Sequence, residues 1–230
     1  DWNPADKFPL IVKWLDCRER LSLQVHPTTS VARKLGSEAK SECWTIVHSE
    51  KNAGVYAGLK KGVTQKAFEE ALKEETLEPL VHRLPTHTDD FIFIPAGRLH
   101  TIDAGNLILE IQQNSDTTYR VHDWGRERQL HIDKSLHSIN FNDFEPELKK
   151  SSGAKEEILL QEALFTIKRL RLTAGEEITL PALPTAQILS ITAGQLDGYS
   201  AGENLLLPKG ETHKIFASKN STLILVSNFL

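Results

Sequence analysis

Phe91-Ile92-Phe93-Ile94-Pro95-Ala96-Gly97-Arg98-Leu99-His100-Thr101-Ile102 is the stretch from which the fold can be read. Phe91 to Ile94 predict a short apolar strand, which Pro95 ends because proline cannot continue a ladder. Gly97 permits a tight turn, and the chain returns as a second strand on which His100 can aim inward. The same pattern recurs as Pro208-Lys209-Gly210-Glu211-Thr212-His213-Lys214-Ile215, again after an apolar run, Leu205 to Leu207. Two copies of one strand-turn-strand unit imply two related barrels. Elsewhere turn residues and short alternating runs dominate, which predicts a mainly β protein, a sandwich or barrel, rather than βαβ units.

His100 has plausible company. Gln24 and His26 lie two apart in an alternating context (Leu21, Leu23, Val25), so a strand turns both side chains to one face. Glu42 opens the run Cys43-Trp44-Thr45-Ile46-Val47. Imidazoles and a carboxylate carried on several strands suit zinc or another first-row divalent ion. His26, Glu42 and His100 are the first-choice ligands, with Gln24 as a weaker fourth. The second half has no counterpart of Gln24-x-His26 or of Glu42, so His213 is read as structural, and His48, His82, His87, His122, His131 and His137 as surface or structural.

The chain has 230 residues, 40% hydrophobic and 25% charged, with a formal charge of −4. That is ordinary for a globular protein with one or two cores, and it argues against nucleic acid or an anionic membrane as a partner. No apolar run approaches the roughly 20 residues that span a bilayer. The start, Asp1-Trp2-Asn3-Pro4, has neither a basic nor an apolar region of a secretion signal, so a cytoplasmic location is expected. The two cysteines, Cys17 and Cys43, are expected to be reduced and buried. Strand-like sequence begins almost at once (Pro9 to Trp14) and there is no methionine, which fits a chain whose leading residues are missing.

Two regions read as helical. Thr28 to Lys40 is short, with Gly36 as a C-cap. Thr64 to Leu84 follows helical spacing through Ala67, Phe68, Ala71 and Leu72, is capped by Thr64 and is divided by Pro79. It reads as an insertion on the outside of the barrel with a solvated face of Glu69, Glu70, Lys73 and Glu74. The expected organisation is a metal-binding domain over 1–143, a polar linker over 144–157 and a second β domain without metal over 158–230. Within the latter, Leu164 to Leu172, Gln187 to Thr192, Asn204 to Leu207 and Thr222 to Val226 read as strands.

Taken together, Ser22-Leu-Gln24-Val-His26-Pro27, Lys40-Ser-Glu42-Cys-Trp44, Ile94-Pro-Ala-Gly97-Arg-Leu-His100, Gln112-Gln-Asn-Ser-Asp-Thr-Thr-Tyr-Arg120 and Asp123-Trp-Gly-Arg126 resemble the type I mannose-6-phosphate isomerases, zinc enzymes of the cupin superfamily. The resemblance runs from about Phe8 to about Asp133, and is loose in the second half. It implies double-stranded β-helix (cupin, jelly-roll) barrels and one Zn2+ per chain on His26, Glu42, His100 and Gln24. The implied reaction interconverts mannose 6-phosphate and fructose 6-phosphate through an enediol. Arg120 matches the family's catalytic arginine, whose fixed charge can stabilise an enediolate. Lys40 matches a lysine near the substrate, and Lys13 a lysine of the leading strand. Glu110 shares a face with Gln112 and Asn114 and can deliver a carboxylate to the cavity, while Asp116 is read as substrate-binding. For the carbon proton, Glu110, Lys40 and a hydroxide at the metal are all candidates. Three departures stand out: the family's additional N-terminal stretch is not seen, Arg98 replaces a small hydroxyl residue, and Val121-His122 replaces an aliphatic-tyrosine pair. Two other function classes are compatible with a cupin. A metal-dependent oxygenase would want a closer His-x-His pair. A non-catalytic sugar-binding protein would not need a Lewis acid.

Overall fold

In a computed structural model of the chain, residues 7–229 are described. They fall into two compact units that divide between Lys149 and Lys150. The first contains strands β1 (Leu10–Cys17), β2 (Leu23–Val25), β3 (Glu42–Ser49), β4 (Gly54–Leu59), β5 (Val81–Pro85), β6 (Phe91–Ile94), β7 (His100–Ile102), β8 (Asn106–Gln113) and β9 (Tyr119–His122). Helices α1 (Thr29–Leu35), α2 (Gln65–Lys73) and α3 (Ile132–Ser138) interrupt them. The strands form two antiparallel sheets, ordered β1-β8-β3-β6 and β5-β4-β7-β2-β9.

Period-two alternation decides what each sheet buries. Trp44, Ile46, Ile92, Ile94 and Ile108 from the first sheet pack with Val55, Ala57 and Ile102 from the second in one buried cluster between the sheets. The opposite face of the second sheet, through Leu23, Val25, Tyr56, Tyr119 and Val121, is covered by Phe68, Ala71 and Leu77 of the helical insertion. The result is the expected mainly β cupin barrel, with the helices on its outside.

The N-cap predicted at Thr64 forms, and Thr28 caps α1 in the same way. Thr28 accepts from Val31 N and Thr64 from Ala67 N, and α1 stops at Gly36 in the left-handed region (φ 63°). Thr64→Ala removes the cap from α2 and should lower stability by about 1 kcal/mol in chemical denaturation, with no change at the barrel interior. An effect below about 0.3 kcal/mol would mean that α2 is held by Phe68 and Ala71 alone.

The insertion differs from the helix expected over 64–84. α2 ends at Lys73 and Glu75 turns left-handed (φ 57°). Pro79 sits in a single 3-10 turn (Glu78–Leu80), and Val81–Pro85 then pairs with β4 as an edge strand. Val81 and Leu84 fit a helical stripe, but the open edge of β4 offers hydrogen bonds that a second helix would leave unmade. Helix α3 was not expected at all. Its buried positions are Ser135 and Ser138, and no side chain caps it, so neither hydropathy nor capping marks it.

The 144–157 stretch is divided. Phe144 and Lys149 bridge to Leu59 and Phe91, and Leu148 joins the barrel cluster, whereas the next strand starts only at Glu156. The second unit holds β10 (Glu156–Gln161), β11 (Thr166–Leu172), β12 (Glu177–Leu180), β13 (Gln187–Ala193), β14 (Gln195–Leu196), β15 (Tyr199–Ser200), β16 (Asn204–Leu207), β17 (His213–Phe216) and β18 (Ser221–Ser227). Its main sheet runs β10-β11-β18-β13-β16, beside a β12-β17 ribbon and a small β14-β15 pair. Leu170, Leu180, Leu189, Ile191, Ile215, Leu223 and Leu225 are among the residues of its core. Cys17 and Cys43 are buried and unbridged.

Candidate metal centre

Register brings the ligand candidates together. Gln24 lies opposite His100 on one side and opposite Arg120 on the other, so β7, β2 and β9 present all three on one face. On the other sheet Lys13 pairs with Glu110, which pairs with Trp44, and one step of two further along Gln112 pairs with Glu42. Glu42, Trp44, Glu110, Gln112 and Lys13 therefore share the inward face.

Across the interior, His26 Nε2 lies 3.2 Å from Glu42 Oε2 and His100 Nε2 lies 3.4 Å from Glu42 Oε1. The three residues are buried, and their potential ligand atoms all fall within 4.8 Å of one another. Among the described residues this is the one such group of histidine, cysteine and acidic side chains. Each ring is oriented by a backbone carbonyl on its far nitrogen: His26 Nδ1 donates to Thr117 O (2.9 Å) and His100 Nδ1 to Arg98 O (2.8 Å). A carbonyl can only accept, so both Nδ1 atoms carry the proton and both Nε2 lone pairs face Glu42. Two lone pairs and a carboxylate converge on one point, and His26 Nε2 and both Glu42 oxygens have no hydrogen-bond partner. Buried groups left this way cost several kcal/mol. A cation bound among them removes the cost, so the donor set fits a divalent metal.

Electrostatics agree. Burial opposes ionisation of Glu42, but positive charge around it, including the Lys40 ammonium 3.3 Å away, holds its carboxyl well below the usual carboxylate range. Burial pushes His100 down to about 3, so its imidazole is neutral, the form that binds metal. Gln24 completes the wall. Its Nε2 is 3.2 Å from His100 Nε2, and its Oε1 accepts from the Ser22 hydroxyl at 3.3 Å.

Glu110 lies on the same inward face. Its two oxygens are held by Lys13 Nζ (3.0 Å) and Trp44 Nε1 (3.1 Å), and burial together with the Glu42 charge raises its proton affinity. Lys13 also bonds Gln112, and Trp44 lies edge-on to His100 with ring centroids 5.5 Å apart. Lys13 is thereby placed in the cavity wall. Trp44 was read as part of an apolar strand and of the Lys40 to Trp44 motif but given no role in the site, because its two contacts depend on which strands become neighbours. Arg120 donates from Nη1 to Gln129 O (2.7 Å), while its buried Nε has no partner. It makes no ion pair with Asp116 or Glu110. Asp116 is exposed on the loop before β9, next to Thr117, whose carbonyl holds the His26 ring.

In the second unit, register identifies the equivalent positions. Ile94 opposite Glu42 corresponds to Leu207 opposite Gln187, and Gln24 opposite His100 corresponds to Leu180 opposite His213. A leucine and a neutral amide thus stand where the first barrel has Gln24 and Glu42. His213 Nε2 faces Pro208 O at 3.2 Å.

Fold and site together define a cupin barrel with an interior that could hold one metal ion on two histidines and a glutamate. No family model matches the sequence. The probable mannose-6-phosphate isomerase GmuF of Bacillus subtilis is 33% identical over 199 residues, covering 81% of this chain and 62% of that protein. The mannose-6-phosphate isomerase of Streptococcus mutans is 30% identical over 226 residues, covering 90% of this chain and 70% of that protein. The crystal structure of the mannose 6-phosphate isomerase from Bacillus subtilis superposes with a TM-score of 0.77 at 27% identity, covering 98% of this chain and 77% of that one. The chain belongs to the mannose-6-phosphate isomerase family, and it spans 62% of the length of the first of these relatives. No helix among the described residues is long and apolar enough to cross a membrane.

Proposed function

We propose that this chain carries the catalytic centre of a zinc-dependent isomerase that interconverts mannose 6-phosphate and fructose 6-phosphate through an enediol. The observation that carries this reading is the buried convergence of His26 Nε2, His100 Nε2 and the Glu42 carboxylate, in a chain related to mannose-6-phosphate isomerases. His26, Glu42 and His100 would hold the ion, with Gln24 as the fourth ligand once its amide turns its oxygen inward. When bound, zinc supplies a Lewis acid for the O1 and O2 oxygens of the sugar.

The chain's own residues account for the remaining needs of an aldose–ketose isomerisation. The proton that moves between C1 and C2 is assigned to Glu110, whose oxygens are located by Lys13 and Trp44 and whose raised proton affinity suits a base that must return what it takes. Lys40, buried beside Glu42, has donors left over for a sugar hydroxyl. Arg120, on the Gln24 and His100 face, offers its fixed charge to the enediolate.

The test is a coupled assay for fructose 6-phosphate. A strong chelator should bring turnover to background, and one equivalent of zinc should restore it. A folded, zinc-loaded protein that binds mannose 6-phosphate without turning it over would replace the isomerase with a sugar-binding protein. Full activity after the metal is stripped would end the zinc assignment.

A further inference from the structure

Arg98 occupies the turn between β6 and β7, two residues before the candidate ligand His100. Its Nε and Nη2 donate to the two carboxylate oxygens of Asp143, both at 2.8 Å, and its Nη1 donates to Phe93 O at 2.7 Å. Both side chains are largely buried, at 15% and 16% exposure, so this is a forked, partly desolvated pair rather than a surface contact. Asp143 is itself fixed, because its backbone accepts from Leu59 N (2.9 Å) and donates to Asn140 O (3.1 Å).

The backbone of the same turn touches both histidines. Arg98 O receives the Nδ1 proton of His100, Gly97 N donates to His26 O at 2.8 Å, and Asn140 N donates to Gly97 O at 2.8 Å. Gly97 has a φ of 96°, with Asn140 Cβ 3.4 Å from where its Cβ would sit, so the turn is committed to this shape. Its position is set from outside by the guanidinium, which ties it to β6 and to the segment after α3.

We propose that the Arg98–Asp143 pair is a positioning element for the metal centre. By pinning the turn it fixes the carbonyl that orients the His100 ring and the amide that holds the His26 backbone, and so sets the separation of the two imidazole donors. This inference rests on the metal-site reading above.

Zinc affinity, measured by competition with a chromophoric chelator, tests it independently of turnover. Arg98→Ala and Asp143→Asn should each raise the zinc Kd by about 10- to 100-fold, the usual effect of removing a group that orients a ligand. Arg98→Lys should not restore it, since an ammonium cannot make the fork and reach Phe93 O together. The Arg98→Ala/Asp143→Asn double variant should be no weaker than the worse single one, because both remove the same pair. Asp143→Asn keeps the side-chain shape and supplies a folded variant if Arg98→Ala is unstable. A zinc Kd within twofold of the parent in these variants, whatever the change in melting temperature, would reduce the pair to a structural tie. A parent chain that binds no zinc would overturn the metal reading and this inference with it, whereas a zinc-binding parent without isomerase activity would overturn only the function.

Discussion

Glu42→Gln should yield a folded protein that no longer retains zinc and isomerises mannose 6-phosphate at least about 1,000-fold more slowly, equivalent to roughly 4 kcal/mol of transition-state stabilisation. The carboxylate is the anionic member of the donor set, and the two imidazoles that remain bring no negative charge to the ion. Glutamine has the same shape, so packing on the inward face of β3 is kept. The substitution also leaves the buried Lys40 ammonium, 3.3 Å away, without its counter-charge, so the metal-free variant should be less stable than the metal-free parent. The zinc-loaded parent should gain about 4 kcal/mol over its own apo form when free zinc is a thousandfold above Kd, and the variant should lose that gain. Zinc content by elemental analysis, thermal melts with and without chelator, and the coupled assay would be measured together. Retention of a full equivalent of zinc by Glu42→Gln would mean that the ion sits elsewhere.

Arg120→Ala is expected to behave differently. The zinc content should stay at one equivalent while kcat falls about 10²- to 10³-fold, the range found when a preorganised charge facing a developing oxyanion is removed. KM should change much less than kcat, because the charge matters most after the proton has left carbon. In the free protein the side chain makes one hydrogen bond, from Nη1 to Gln129 O, so the stability cost should be about 1 kcal/mol. Arg120→Lys keeps the charge but not the fork, and should recover part of the loss. A variant that loses zinc in parallel with activity, or that changes KM alone, would make Arg120 a structural or ground-state binding residue.

Local pattern carried a good deal of this chain. Apolar runs located β3 and β6, alternation located β8, and β-like sequence marked four of the five strands in the second unit's main sheet, because side-chain direction in a strand depends only on position along it. Thr64 and Gly36 marked helix ends because capping is satisfied within one turn. The same local logic failed at Val81–Pro85, where an edge strand's hydrogen bonds with β4 outweighed helical spacing, and at α3, whose buried face is serine.

What residue types and spacing determined was the chemistry on offer: Gln24, His26, Glu42 and His100 on inward-facing positions of three strands and at the end of a turn. Only the tertiary structure decided that these faces meet. Nothing along the chain says that β7 neighbours β2 or that β3 neighbours β8, because such pairing depends on contacts distant in sequence. The imidazole tautomers belong to the same category. They are fixed by the carbonyls of Thr117 and Arg98, and every residue carries a carbonyl, so no side-chain pattern could announce which two would do it.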